Sequence, residues 1–340
     1  MPERKLARVE QILAIDPIEG ADAIEVATIA GWKCVIAKKD GLKVGDKVVY
    51  FEIDSILDPE NPLFAFMEPR HFRVRTIRLR GQLSQGLAMP VKLFDEKKEF
   101  NIGDDLTEAL GITKFEPYIP AHLSGVVRGN FPSFLRKTDE ERVQNLPDFL
   151  VNYAGTECYV TEKVDGTSFT CYLFEDEFGV ASRNLELKES EGNLYWQMAR
   201  KLDLEAKLRE FYEQWGINLC IQGEIIGQGV QGNKYKLDTN KLLVFNIYNI
   251  DNQEYLDYVE LMCIGVKQLE LETVPIIDNN FVLNHTIDEL LVMADGHSVV
   301  NPAVLREGLV FRAKTNKVVR GLSRFSFKAV SNKFLLKFEE

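Results

Sequence analysis

The chain has 340 residues, 45% of them hydrophobic and 27% charged, with a formal net charge of −11. That length allows two ordinary domains, each with its own core. The acidic balance excludes a protein that coats nucleic acid by bulk attraction, so any nucleic-acid site must be a local basic patch. No apolar run approaches the ~20 residues that span a bilayer, so no membrane partner is expected. The start, Met1-Pro2-Glu3-Arg4-Lys5, lacks the apolar segment of a signal peptide. Cys34, Cys158, Cys171, Cys220 and Cys263 are dispersed without a CxxC pair. They read as reduced, buried thiols of an intracellular protein, cytoplasmic by default. His71, His122, His285 and His297 lack ligand spacing, so neither set forms a zinc site.

Residues 1 to about 115 read as short strands with turns. Leu6–Leu13 alternates as a half-buried strand, and Ala23–Ile29 repeats the pattern. Trp32–Ala37 and Lys47–Ile53 add two more strands, separated by a turn-rich stretch over 39–46. Many short strands with Gly and Asp turns predict a small barrel. Arg70, Arg73, Arg75, Arg78 and Arg80 then fall within eleven residues that contain no acid. If that stretch is a strand, Arg73 and Arg75 share one face and Arg78 and Arg80 the other. Such a strip tracks phosphates, or else pairs with local acids such as Glu52, Asp54 and Glu68. Gly81–Leu87 reads as a loop between strands.

From 116 to 150 the pattern breaks. Pro117, Pro120, Gly125, Gly129 and Pro132 mark a linker. Thr138 with Glu141 has the spacing of a capping box and predicts a helix start.

The next stretch holds the chemistry. Lys163-Val164-Asp165-Gly166 lies between two apolar runs, and its Asp-Gly reads as a tight hairpin turn. Lys163 would then sit at a rigid strand end, suited to a nucleophile that attacks an α-phosphorus. Its proton must leave first, which calls for neighbouring cations or a metal. After a turn at 175–179, Val180–Asn184 is expected to run back beside the Lys163 strand, with Arg183 facing the same pocket. Asn193–Trp215 has helical spacing, with Leu194, Met198, Leu202, Leu204, Leu208, Phe211 and Trp215 as core. Leu219–Ile226 is a buried strand whose single acid, Glu224, needs a partner: a sugar hydroxyl or an internal arginine. The glycine-rich stretch 227–233 lacks the P-loop pattern. Lys241–Tyr248 is another strand, with Phe245 either core or an aromatic shelf for a purine. Ile287–Ala294 is helical. The Arg306–Arg312 and Arg324–Val330 segments set Glu307 and Lys328 beside or within apolar strands. Opposite charges converging on a candidate lysine suggest a metal–phosphate site.

Taken in order, Lys-x-Asp-Gly, Ser-Arg, Gly-Glu, a strand aromatic, Glu-Gly-x-Val and a late lysine resemble the covalent nucleotidyltransferases. Glu162 before Lys163, "GEIIGQGVQ", "VFNI" and "EGLVFR" look like ATP-dependent RNA ligases of the nick-sealing type. "GLKVGDKVVYFEIDS" and "IRLRGQLSQGL" resemble the clade with an N-terminal OB domain. The resemblance implies an α+β chain. A small OB-like β-barrel covers 1–118 and a linker 119–144. An adenylation (nucleotidyltransferase) domain of antiparallel sheets with flanking helices covers 145–340.

It also implies roles. Lys163 becomes lysyl-AMP, and Glu162 orients the adenine edge or the lysine. Arg183 contacts ribose or phosphate, Glu224 accepts from ribose hydroxyls, and Phe245 stacks on adenine. Glu307 holds the divalent metal, Mg²⁺ or Mn²⁺, and Lys328 neutralises the α-phosphate. ATP is the cofactor, RNA or an RNA-containing nicked duplex the partner, and a monomer the working unit. The arginines at 73, 75, 78 and 80 would contact the nucleic acid. One position departs from the pattern: where the family carries a first late lysine, this chain has Ser326, leaving Arg324, Lys314 or Lys333 as a second cation, or Lys328 alone. The rival readings are a DNA ligase or capping guanylyltransferase, and a non-catalytic RNA-binding protein.

Overall fold

Alternation and turn chemistry build the N-terminal strands where the sequence places them. In this computed structural model, which describes residues 5–95, 99–115, 126–317, 319, 322 and 324–338, the chain divides into two compact units. The first unit runs to Pro117 and also takes in Val143–Asn152 and the segment from Asn332. Its main sheet is antiparallel, formed by β1 (Ala7–Pro17), β2 (Ile24–Ile29), β3 (Trp32–Ala37), β4 (Lys47–Phe51) and β8 (Leu87–Pro90), in the order β3-β2-β1-β4-β8. Ala7, Val9, Val49 and Phe51 turn inward onto Leu57, Phe64, Met67 and Val74.

Four short strands complete this unit. β5 (Ser55–Ile56) pairs with β9 (Thr113–Lys114), and β6 (Thr76–Leu79) with β7 (Gln82–Gln85). The stretch expected as a loop after Gly81 is therefore mostly strand. Arg80 and Gly81 both take positive φ, 51° and 81°. That is the mirror-image turn that matches strand twist and closes a two-residue hairpin.

Two helices from distant sequence join the unit: α1 (Pro147–Asn152) and α5 (Asn332–Phe338). Asn145, just before α1, accepts from Trp32 Nε1 at 2.7 Å and from the Arg8 guanidinium at 2.8 Å. Gln85 donates to Asn332 at 3.2 Å, and Phe334 and Leu335 are buried.

The second unit holds the described residues of Tyr118–Arg142 and of Tyr153–Ser331. Its larger sheet has seven strands. They are β10 (Val126–Asn130), β13 (Thr167–Phe174), β14 (Glu177–Ala181), β15 (Leu185–Lys188), β16 (Leu219–Ile226), β17 (Lys241–Asn249) and β18 (Glu254–Tyr255). Their order is β10-β15-β14-β13-β16-β17-β18. The second sheet contains β11 (Glu141–Arg142), β12 (Glu157–Lys163), β19 (Ile276–Val282), β20 (Gly308–Ala313) and β21 (Ser326–Val330), in the order β11-β21-β20-β12-β19. Only β11 and β21 pair in parallel among these strands.

Helices α2 (Leu194–Lys201) and α3 (Leu204–Trp215) cover one face of the larger sheet, packing Tyr195, Met198, Leu208 and Phe211 on Phe169, Leu173 and Ile221. They are two helices rather than one, broken where Asp203 takes φ 51°. Trp215 ends the second helix 56% exposed, outside the core expected for it. Helix α4 (Ile287–Ala294) forms as expected, capped reciprocally by Thr286 and Glu289.

Three local expectations give way to tertiary pairing. No helix starts at Thr138: its hydroxyl meets Ser168 at 3.2 Å, and Glu141 enters β11. Val164-Asp165-Gly166 is not a hairpin turn but carries the chain from the second sheet (β12) to the larger one (β13). Strand β14 therefore runs beside β13 and β15, never beside β12. Val126–Asn130, within the stretch read as a linker, pairs with β15. All five cysteines are free, four buried as expected and Cys263 exposed.

Candidate active site

Strand register puts the charged residues on one face. Lys163 lies opposite Gly308, which lies opposite Val330; Thr161 lies opposite Val310, which lies opposite Lys328. Directly opposed residues share a face, and so do residues two apart on one strand. Lys163, Lys328, Arg312 and Ser326 therefore project from the same side. The other side carries Glu162 beside apolar residues, with Phe311 and Phe327 stacked at 5.1 Å.

Gly166 explains how the larger sheet approaches. A Cβ there would fall 2.3 Å from the Ile225 carbonyl oxygen and 2.9 Å from the Glu224 side chain. Only a glycine lets β16 come this close. Ser168 pairs with Glu224 in the adjoining register, which brings that acid towards Lys163.

The Lys163 ammonium donates to Glu307 Oε1 at 2.6 Å. Burial by itself would depress its pKa, but the carboxylates of Glu307, Glu224 and Asp165 outweigh burial and raise it. The surroundings thus hold the lysine charged, opposite to the cationic neighbourhood expected from the sequence. Glu224 keeps a partly exposed flank, yet enclosure pushes its pKa up to about 8, with Glu307 and Asp165 adding to the rise against Lys163. Its partner is this charge cluster rather than an internal arginine.

The remaining predicted residues divide clearly. Glu162 points away from Lys163: its Oε2 accepts from the Val299 N–H at 2.8 Å, while its Oε1 is buried without a partner among the described residues. Burial raises its pKa. Phe245 is half-buried on β17, against Val164, Tyr235 and Val274, with the Arg312 guanidinium 6.0 Å from its ring centre. The cavity beside it, lined also by Thr161 and Ile276, measures ≈ 10 Å³, room for about one water. Arg183 pairs with Asp139. Lys328 is half-buried on β21.

Of the candidates for a second cation, Arg324 donates to Glu140 at 2.7 Å and lies 3.9 Å over the Tyr255 ring. Lys314 donates to Asn280, and Lys333 lies on α5 in the other unit. Arg312 reaches the same Glu140 at 3.3 Å and Thr161 at 3.1 Å. Burial would raise the Glu140 pKa, but the two guanidiniums overcome it and lower it.

The arginine strip is not one continuous strand. Arg73 pairs with Asp54 at 3.3 Å and stacks 3.4 Å over Phe115. Arg75 is half-buried, and Arg78 alone of the four lies within β6. Arg78 and Arg80 are exposed, Arg78 donating to the Gly81 carbonyl at 2.9 Å.

Sequence reasoning passed over Asp165 as a site group, and with it Lys234 and Tyr235. Lys234 pairs with the Asp165 carboxylate, and the Asp165 N–H donates to the Tyr235 hydroxyl at 2.8 Å. Nothing in the spacing of the glycine-rich stretch marks either residue. Glu140 was likewise hidden inside an apparent helix cap.

A divalent cation fits one feature here. Glu307 Oε2 is buried without a partner among the described residues. No group of three or more His, Cys, Asp or Glu side chains among those residues forms a metal cage. A hard cation at Glu307 would complete its shell with water and phosphate oxygens.

The family model for RNA ligase matches residues 156–330, the span that carries every group above from Glu162 to Lys328. The chain belongs to the RNA ligase family. An OB-fold domain model matches residues 6–91, which identifies the N-terminal sheet. Similar structures include Naegleria gruberi RNA ligase as an apo variant, 43% identical over 100% of this chain and 99% of that one, with a TM-score of 0.91. A variant of the same ligase with ATP and Mn is 42% identical over 98% and 99%, with a TM-score of 0.90. The same ligase with PPi is 43% identical over 99% of each chain, at 0.90. No curated protein matches. Among the described residues of this RNA ligase, no helix is long and apolar enough to cross a membrane.

Proposed function

We propose that this RNA ligase uses ATP to seal a 5′-phosphate to a 3′-hydroxyl at nicks in duplexes with RNA on the 3′-hydroxyl side, acting in RNA repair. The observation that carries the reading is the Lys163–Glu307 pair at 2.6 Å on a face shared with Lys328. The Naegleria ligase that this chain resembles was solved with ATP and Mn and, in another variant, with AMP and Mn.

Lys163 is the nucleophile. Its ammonium leaves Glu307 and gives one proton to solvent, the amine attacks the α-phosphorus of ATP, and a second proton leaves the nitrogen for solvent as the phosphoramidate forms. An N–P bond forms as the bond from the α-phosphorus to the bridging oxygen breaks, and pyrophosphate leaves with the electron pair. Lys328 neutralises the α-phosphate. Glu162 Oε1, buried without a partner among the described residues, accepts from the adenine amino group. Glu224 bonds a ribose hydroxyl, Phe245 stacks on the base, and Arg183 exchanges Asp139 for a phosphate. Glu307 holds Mg²⁺ or Mn²⁺, which supplies charge neutralisation at the phosphates. AMP then passes to the 5′-phosphate end, and the 3′-hydroxyl displaces it.

Exposed Arg78 and Arg80 contact the nucleic-acid backbone, with Arg73 and Arg75 stiffening the segment behind them. A single chain carries every group named, so the protein works as a monomer, and its free thiols suit a reducing intracellular compartment. The test is a panel of nicked duplexes that differ only in the sugar of each strand at the nick. Sealing is expected with RNA at the 3′-hydroxyl side and little with DNA there. Equal sealing of an all-DNA nick would overturn the strand preference, and GTP in place of ATP would point to a guanylyltransferase.

A further inference from the structure

The glycine-rich stretch after β16 delivers a second lysine to the nucleophile. Gln231, Gly232, Asn233 and Lys236 take φ of 45°, 68°, 48° and 53°. For the three non-glycine residues this is strained backbone, which persists only where the surroundings over-determine it. They do so here. The Asn233 side chain accepts from the Leu237 N–H at 3.0 Å and donates to its carbonyl at 2.9 Å. Asn301 donates to the Tyr235 carbonyl at 2.8 Å, and the Tyr235 hydroxyl accepts from the Asp165 N–H at 2.8 Å. Between these fastenings Lys234 reaches the Asp165 carboxylate, with 22% and 17% of the two side chains exposed.

Asp165 lies two residues beyond Lys163 and attracts it electrostatically. Two lysines thus meet two carboxylates in matched pairs, Lys163 with Glu307 and Lys234 with Asp165. We propose that Lys234 is a positioning residue for the attack by Lys163: by holding Asp165, it keeps that carboxylate from joining Glu307 as a direct ion-pair partner of the nucleophile, with Glu224 nearby in either case. The proposal rests on Lys163 being the nucleophile. Without Lys234, Asp165 turns to Lys163. The nitrogen must then leave two carboxylates before it reaches the line of attack on the α-phosphorus, and in-line placement is what this chemistry depends on.

Two assays on the full chain separate the steps: formation of lysyl-AMP from ATP, and sealing of nicked RNA that already carries a 5′-adenylate, which bypasses Lys163. Lys234→Met is expected to slow lysyl-AMP formation at saturating ATP about tenfold. Its KM for ATP and its sealing of adenylated RNA should stay within about twofold of wild type. Lys234→Arg, which keeps the charge, should restore most of the rate. Equal losses in both assays with a lowered melting temperature would show a structural role and overturn the proposal. A raised KM for ATP with the saturated rate intact would show a phosphate contact and overturn it too, as would no change in Lys234→Met. Wild-type protein that seals adenylated RNA but forms no lysyl-AMP would strike the nucleophile reading, and this proposal with it.

Discussion

Lys163 is held as an ammonium by carboxylates, and the proposed attack on ATP has to undo that. Glu307 is the closest of them, at 2.6 Å. Glu307→Gln keeps the shape and removes the charge that pairs the lysine and suits a divalent cation. It is predicted to slow lysyl-AMP formation by roughly a hundredfold, measured by single-turnover label transfer. A rate near wild type would contradict the role. Glu224 makes a prediction about pH. It ionises near 4.5 in an unfolded chain and at about 8 in the folded one. Across that window the folded state keeps a proton the unfolded state has lost, so the Glu224 contribution makes stability fall as pH rises, then level off. Denaturant melts at about pH 5 and about pH 8 should show a larger loss for wild type than for Glu224→Gln. Parallel losses would contradict the assignment. At this scale the sequence singled out Lys163, Glu224, Glu307 and Lys328 as candidates, because each charge lies beside or within an apolar strand. Asp165 and Lys234 stayed hidden because their meaning lies in a contact between residues 69 positions apart.

The elements that were legible are those set by local pattern. Strands β1, β3, β4, β16 and β17 and helix α4 follow from alternation, helical spacing or a capping box. The errors fall where two elements compete for one residue. Asp-Gly has the look of a turn, yet Gly166 is needed for closeness: a Cβ would meet the Ile225 carbonyl at 2.3 Å. Gly166→Ala must push β16 away, and a cost of about 2–3 kcal/mol is predicted from calorimetry or denaturant melts. A neutral substitution would mean that the approach is not tight. Thr138 and Glu141 have the look of a helix cap, but Glu140 between them is claimed by Arg312 and Arg324. Glu140→Ala leaves two guanidiniums buried without their shared carboxylate. About 3–5 kcal/mol should be lost, as expected for breaking a buried ion pair from one side. A loss below about 1 kcal/mol, the range of a surface pair, would contradict the buried network.

At the scale of the molecule, sequence order and spatial unit part company. The N-terminal unit includes Val143–Asn152 and the helix from Asn332, so the RNA ligase domain is inserted within it. Nothing in local periodicity reports which unit a helix joins, because an apolar helix face is the same signal whichever core receives it. Ending the chain at Ser331 removes buried Phe334 and Leu335 from the N-terminal unit. At about 1.5–3 kcal/mol per buried side chain, a loss of about 3–6 kcal/mol is predicted. Limited proteolysis should then cut earlier within residues 5–115, and an unchanged digestion pattern would contradict the assignment of that helix.

In the proposed reaction Lys163 forms a covalent bond to AMP. Intact-mass analysis after incubation with ATP and a divalent cation, wild type beside Lys163→Ala, tests it most directly. A gain of one AMP is expected in the wild type and none in the variant. No gain in the wild type, or the same gain in both proteins, would contradict it.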